Sequence, residues 1–214
     1  IRFGSLEPHL MTDGIIRGLA ANERICKQFH LALQSGSTTV LERMRRGYTA
    51  DEYLALTDKL RQAFGEDLAL TTDIIAGFPG ETASEHNETL AFIERVGFSK
   101  VHVFPYSRRS GTPADRMPCQ LTNKEKSDRA RELIAKGRLL ERQFLSRFIG
   151  RTMTVLVEEV SDGSSFGCTD NYIRVRIPYA VMPDTLTEVR LDGIEEADGE
   201  IRLTARNENN QLRR

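Results

Sequence analysis

Thr71-Thr72-Asp73-Ile74-Ile75-Ala76-Gly77-Phe78-Pro79-Gly80-Glu81-Thr82 is a β-branched apolar run that ends abruptly in Gly, Pro and Gly. Ile and Thr suit a pleated surface, so the run reads as a buried strand. Gly77 and Gly80 accept positive φ and lack a Cβ, Pro79 stiffens the turn, and a helix is expected to begin near Thr82 or Ala83. Such a loop lets backbone approach a ligand closely, and parallel α/β folds bind ligands at strand ends of this kind.

Working outward, further strands are expected at Ile1 to Gly4, Phe29 to Leu33 and Lys100 to Phe104, with the central one running from Leu68 to Ala76. Helical patterns lie between them at Thr12 to Ala21, Thr38 to Met44 with Asp51 to Phe64, and Ala83 to Val96. Thr12, Ser37, Thr49 and Thr82 stand at N-cap positions. This β-α repetition predicts an α/β fold with a parallel sheet and outer helices, although four strands are few for a closed barrel.

Residues Ser107 to Leu121 carry Gly111, Pro113 and Pro118 and read as an irregular connection. Thr122 then opens a long helix, with Glu125 in capping-box position, Leu133, Leu140, Phe144 and Phe148 among its apolar stripe, and Gly150 at its end. Beyond Gly150 the pattern turns to β at Thr152 to Val160, Tyr172 to Ile177, Thr187 to Leu191 and Glu200 to Ala205, with turns at Asp162-Gly163 and Asp192-Gly193. The size suits a small OB-like barrel. The expected division is 1–145 for the α/β part with its linking helix, 146–206 for the β part and 207–214 for a flexible polar tail.

The 214 residues are 39% hydrophobic, enough for a sizeable core, and the net charge of −1 means that any nucleic-acid binding must come from local basic faces. No apolar run approaches the length of a membrane span and no signal pattern opens the chain, so a cytoplasmic location is expected. Cys26, Cys119 and Cys168 are scattered; free thiols and no metal site are expected. The chain opens on Ile1 without Met and reads like a piece of something longer.

Four expected strand tips are polar or glycine-rich: Gly4 to Pro8, Gln34 to Ser37, the Gly77 loop, and Phe104 to Ser107. Their arrival at one end of successive parallel strands is the pattern of a ligand site. Glu7 can accept from an ammonium or hydroxyl, Gln34 and Ser35 can bind sugar hydroxyls, and backbone near Gly77 and Pro105 can bracket a base. The alternative is that these residues are only caps and turns.

The segments RFGSLEP, FHLALQSGSTTVLERMRRGYT, TTDIIAGFPGET, FPYSRRSGTPA and GCTDNYIRVRI resemble the second part of the radical S-adenosylmethionine methylthiotransferases, in order and across nearly all of residues 1–205. That resemblance implies the last four strands of a partial (β/α)6 radical SAM barrel followed by a TRAM domain, with S-adenosylmethionine as cofactor and two 4Fe-4S clusters in the full-length parent. No CxxxCxxC is present, so the chain alone is expected to be inactive, with no catalytic residue of its own. The GSLEP segment looks most like the branch that methylthiolates N6-threonylcarbamoyladenosine beside the tRNA anticodon. The resemblance further implies Gln34 and Ser35 at the cofactor ribose, and Asp73, Ile75 and Gly77 at its adenine end. Glu7 would face the methionine moiety or the substrate. Against the family pattern GxIxGxxE, Ile75 and Gly77 fit while Asp73 and Gly80 do not.

The expected partners are a tRNA anticodon stem-loop and, for the parent, an electron donor, with no membrane. Arg43, Arg45 and Arg46, then Arg108 and Arg109, flank strand ends and can meet phosphates. In the β part, Tyr172, Arg174 and Arg176 are expected on one strand face, as a base stacker and two phosphate ligands, with Ile173, Val175 and Ile177 facing the core. Glu195, Glu196, Asp198 and Glu200 would lie away from RNA. A standalone RNA-binding module, an enzyme acting on isopentenyladenosine tRNA, and the sibling that modifies a ribosomal protein stay open as alternatives. A monomer is expected, with an unpaired sheet edge at Ile1 to Gly4 that invites self-pairing.

Overall fold

The computed structural model describes residues 1–206; the polar tail expected at 207–214 lies outside them. The strands β1 (Ser5–Leu6), β2 (Gln28–Leu31), β3 (Ala69–Ala76) and β4 (Lys100–Pro105) form a parallel sheet in that order. On β3 the buried Leu70, Thr72, Ile74 and Ala76 alternate with Thr71, Asp73 and Ile75 on a more open face. The buried set packs beneath the helices α1 (Asp13–Ala20), α2 (Thr38–Arg43), α3 (Ala50–Phe64), α4 (Ala83–Val96) and α5 (Asn123–Ser146), in a core that includes Leu41, Tyr53, Leu60, Phe92, Ile93 and Leu133. Burying each large apolar side chain of this kind contributes about 1.5–3 kcal/mol.

Local chemistry sets the helix starts. Thr12, Thr49, Thr82 and Thr122 each accept a backbone N–H of the first turn, and at the last three Glu52, Glu85 and Glu125 complete the reciprocal bond. Ser37 makes no such cap; its hydroxyl donates to Glu88 Oε2 at 2.5 Å.

Three boundaries in the sheet part differ from expectation. Ile1 to Gly4 is not a strand: Ile1 lies against the Asn22–Cys26 turn, its carbonyl accepting the N–H of Cys26 and its terminal ammonium donating to the carbonyl of Arg24. The edge strand is Ser5–Leu6, inside what looked like a loop. The second strand stops at Leu31 instead of Leu33, since Thr72 Oγ1 inserts itself into the ladder, donating to the carbonyl of Leu31 and accepting the N–H of Leu33 at 3.0 Å. The long helix ends at Ser146, and Gly150 lies past it with φ +83, donating its N–H to the carbonyl of Leu191.

The remaining strands, β5 (Thr152–Ser161), β6 (Ser164–Thr169), β7 (Arg174–Ile177), β8 (Leu186–Ala197) and β9 (Glu200–Ala205), close into a barrel in the order β5-β6-β7-β9-β8. Five strands and closure fit the expected OB-like form. Val155, Val157, Val175, Ile177, Leu191 and Leu203 fill it, and Phe144, Leu145 and Phe148 join this core. Strand β6 has little β-branched signal; it holds Gly167, where a Cβ would stand 2.1 Å from the carbonyl oxygen of Leu156, so only glycine fits. Asp192-Gly193 is not a turn but a bulge within β8, and Asp198-Gly199, with φ of +55 and +78, turns the hairpin instead.

The barrel is seated on the start of the sheet. Buried Asn171 donates to the carbonyl of Asp67 at 2.9 Å, Arg151 grips the Asp67 carboxylate at 2.9 and 2.5 Å, and the N–H of Lys27 donates to the carbonyl of Asp170. No helix among the described residues is long and apolar enough to cross a membrane.

Candidate functional site

The tips of β2, β3 and β4 and the connection after β4 enclose a cleft of about 600 Å³. Of the residues expected to bind a cofactor, it brings together Gln34, Asp73, Ile75 and Pro105. Gln34 reaches it because its backbone, at φ +71, leaves the β2 line and forms a single bridge to Ile74, with its N–H on the carbonyl of Asp73 and its own carbonyl accepting from Ile75. Its side-chain amide has no partner among the described residues. Beside it, the Asp73 carboxylate can only accept, and Ile75 and Phe104 supply apolar surface. A carboxylate, an amide and apolar walls suit a ligand with hydroxyls at one end and a flat ring at the other.

Three expected cofactor residues stand elsewhere. Ser35 is buried, its hydroxyl 3.2 Å from Thr89 Oγ1 and accepting from the N–H of Ser37, so it organises the loop and does not face the cleft. Gly77 does not line the cleft and is pressed against α5: a Cβ there would lie 2.5 Å from Lys126 Cγ. Glu7 forms an ion pair with Arg46 at 3.1 Å near the tip of β1.

Some contributors were not foreseen. Tyr106 lines the cleft with its ring edge-on to Phe78, and its hydroxyl is buried without a partner, which raises its pKa by desolvation. Its hint was its place one residue after a strand-ending proline. Thr112 and Ala114 arrive from a 3-10 turn, Pro113–Arg116, within the segment that read as irregular. Glu81, buried at 6% exposure, accepts the N–H of Gly77 at 3.2 Å and the Arg129 guanidinium at 2.6 Å, tying the strand-tip loop to α5. Nothing in its local sequence distinguishes it from a solvent-facing glutamate just ahead of a helix N-cap.

The basic residues divide into engaged and free. Arg43 makes a two-pronged contact with Glu85 at 2.8 Å, and Arg108 holds Asp115 at 2.9 Å, so both brace loops. Arg45 and Arg109 are exposed, with no side-chain partner among the described residues, and Arg109 lines the cleft. In the barrel, Tyr172 does not share a strand face with Arg174 and Arg176: it precedes β7 at φ +61, because its N–H closes a tight turn onto Thr169, and Arg2 lies over its ring at 3.6 Å. Arg174 is paired with Glu158 and Glu159, and Arg176 with Glu195, which also takes Arg202. Glu195 therefore does not stand apart from the basic face: β9 lies between β7 and β8, and the Arg176 and Glu195 side chains meet across it at 2.8 Å. Glu196 accepts from Arg138 and Arg142 of α5.

A second cavity of about 460 Å³ lies between the open face of the sheet and the barrel, with Gln28, His30, Thr71, His102 and Tyr172 in its wall. Among the described residues no group of three or more His, Cys, Asp or Glu is placed to hold a metal, and Cys26, Cys119 and Cys168 are free thiols.

A parallel sheet under outer helices with a cleft at its strand tips is the arrangement of a radical SAM domain, and residues 4–93 match the family model described as the Radical SAM superfamily, to which this chain belongs. The chain is 41% identical over 180 residues to the threonylcarbamoyladenosine tRNA methylthiotransferase MtaB of Bacillus subtilis, covering 82% of this chain and 40% of that protein. It is 38% identical over 161 residues to the tRNA-2-methylthio-N(6)-dimethylallyladenosine synthase of Acetivibrio thermocellus, covering 75% and 33%. The chain thus spans less than half the length of these relatives. Among solved structures, the coproporphyrinogen III oxidase of Escherichia coli, itself a radical SAM enzyme, is similar in fold with a TM-score of 0.54 at 20% identity, over 66% of this chain and 32% of that one.

Proposed function

We propose that this chain supplies the S-adenosylmethionine cleft and an RNA-binding TRAM domain of a methylthiotransferase, acting on N6-threonylcarbamoyladenosine beside the tRNA anticodon. The observation that carries the reading is the convergence of Gln34, Asp73, Ile75 and Tyr106 on one cleft of about 600 Å³. The residues fit the cofactor. An acceptor-only carboxylate beside a free amide suits ribose hydroxyls, Ile75 and Phe104 suit a purine, and the Tyr106 hydroxyl is a buried polar group still lacking a bond. When bound, S-adenosylmethionine supplies the methyl group and the radical chemistry of the family.

The described residues do not fit an iron–sulfur cluster, because their three thiols never converge. The clusters' ligands are assigned to the rest of the parent enzyme, and this chain by itself is expected to leave S-adenosylmethionine uncleaved. Phosphates of the RNA are met first by Arg45 and Arg109, whose side chains have no partner among the described residues, whereas Arg174 and Arg176 would have to give up carboxylate partners.

Calorimetric titration of S-adenosylmethionine and S-adenosylhomocysteine into the chain tests the cleft, with Gln34→Ala expected to weaken both. Saturable binding unaffected by that change would reject the assignment. Anticodon stem-loops carrying N6-threonylcarbamoyladenosine or isopentenyladenosine test the branch; a preference for the latter would overturn the substrate proposed.

A further inference from the structure

We propose that His30 is a positioning residue for the cleft, held as the neutral Nε2–H tautomer by a one-way series of hydrogen bonds that begins at Arg2 and ends against Asp73. The proposal deepens the cofactor reading above and rests on it for the identity of the ligand.

The direction of the series follows from what each group can donate. Arg2 Nε has no lone pair to offer, and its partner at 3.1 Å is Gln28 Oε1, which settles which end of that amide carries the oxygen. The other end, Gln28 Nε2, donates to Thr71 Oγ1 at 3.1 Å. Thr71 has one hydroxyl proton to give, and the acceptor in reach is His30 Nδ1 at 3.0 Å. An accepting Nδ1 carries no proton, so on the neutral ring the proton sits on Nε2, 3.3 Å from Asp73 Oδ2. Running the Arg2–Gln28–Thr71 links backwards would require a guanidinium to accept; the direction of the last link, from Thr71 to His30, is what the proposal assigns.

The setting reinforces this arrangement. Arg2 is anchored at the far end by the ring of Tyr172, 3.6 Å from its guanidinium carbon. Gln28, His30 and Thr71 line the cavity beside the barrel while Asp73 lines the cleft at the strand tips, so His30 stands between the two hollows. Besides Asp73, the ionisable group packed against His30 is His102 of β4, with ring centroids 6.0 Å apart. Burial and the charge of Lys100 lower the pKa of His102, and Lys100 is itself paired with Glu141 at 3.6 Å. With the proton on His30 Nε2, 3.3 Å from Asp73 Oδ2, the other carboxylate oxygen stays available for donors on the ligand. The chemistry that suits it is a pair of hydroxyls on a nucleoside sugar.

Isotope-edited nitrogen NMR on the chain's 4 histidines reads the tautomer directly. His30 is expected to show the Nε2–H signature near neutral pH. Thr71→Val keeps a β-branched residue in the strand but removes the hydroxyl; it should erase that signature and weaken S-adenosylhomocysteine binding by roughly tenfold, the worth of one hydrogen bond to a charged group. A 2′,3′-dideoxy analogue of the same ligand should bind Thr71→Val and the unaltered chain equally, because it offers the carboxylate nothing to hold. An Nδ1–H or doubly protonated His30, an unchanged tautomer in Thr71→Val, or equal losses for both ligands would overturn the proposal. A correct tautomer in a chain that binds neither ligand would instead count against the cofactor reading.

Discussion

A Cβ added to Gly77 would stand 2.5 Å from Lys126 Cγ, and Gly77 adopts φ +74. The strand-tip glycine thus satisfies two demands at once, a left-handed turn and the close passage of α5. Gly77→Ala is expected to cost about 2–4 kcal/mol, the sum of a left-handed alanine and an overpacked contact. Urea unfolding of the two proteins measures it; a loss within experimental error would mean that α5 is free to move away.

Glu81 and Arg129 are both largely shielded from water, with side-chain exposures of 3% and 16%. Arg129→Met should therefore destabilise by about 3 kcal/mol, because the carboxylate would be left buried without its charge partner. The double change Glu81→Gln with Arg129→Met should recover much of that loss in thermal unfolding. Equal stability of the single and double variants would argue that the carboxylate reaches water when Arg129 is removed.

Glu85 contributes to the acid sensitivity of the fold. Hydrogen bonds from Arg43, then from Thr39 and from the backbone and hydroxyl of Thr82, lower its pKa from 4.5 to about 2. Because the unfolded chain takes up this proton first, the stabilisation is complete above pH 4.5 and is lost as pH falls toward 2. The full effect is about 3 kcal/mol. Chemical denaturation across that range should show a shallower pH slope in Glu85→Gln; matching slopes would remove Glu85 as the source.

If the free arginines at the strand tips meet RNA phosphates, Arg109→Ala should reduce the slope of log affinity against log salt for an anticodon stem-loop by about 1. Arg176→Ala should change that slope little, since Glu195 already neutralises it. The reverse ranking in a filter-binding series would place the RNA on the barrel strand instead.

Much of this architecture was legible because its signals are local. The run from Leu68 to Ala76 alternates once it is in the sheet, and Thr49, Thr82 and Thr122 cap helices through a glutamate three positions on, so strand and helix positions followed from spacing alone. The misplaced edges have non-local causes. Thr72 ends β2 from a neighbouring strand, and Gly167 is a strand residue only because Leu156 crosses over it. Likewise the way each tip turns places Tyr106 in the cleft wall and Ser35 inside its loop.

The sequence by itself determined the order of strands and helices, the parallel sheet, the β-rich second part and the family, since periodicity, caps and contiguous motifs are properties of neighbours along the chain. Only the tertiary structure decided which arginines are already paired, that Gly77 packs against a helix, and that Arg2, Gln28, Thr71, His30 and Asp73 come together. Those outcomes depend on charge and hydrogen-bond partners brought together from distant positions, and nothing in the spacing of a single strand encodes them.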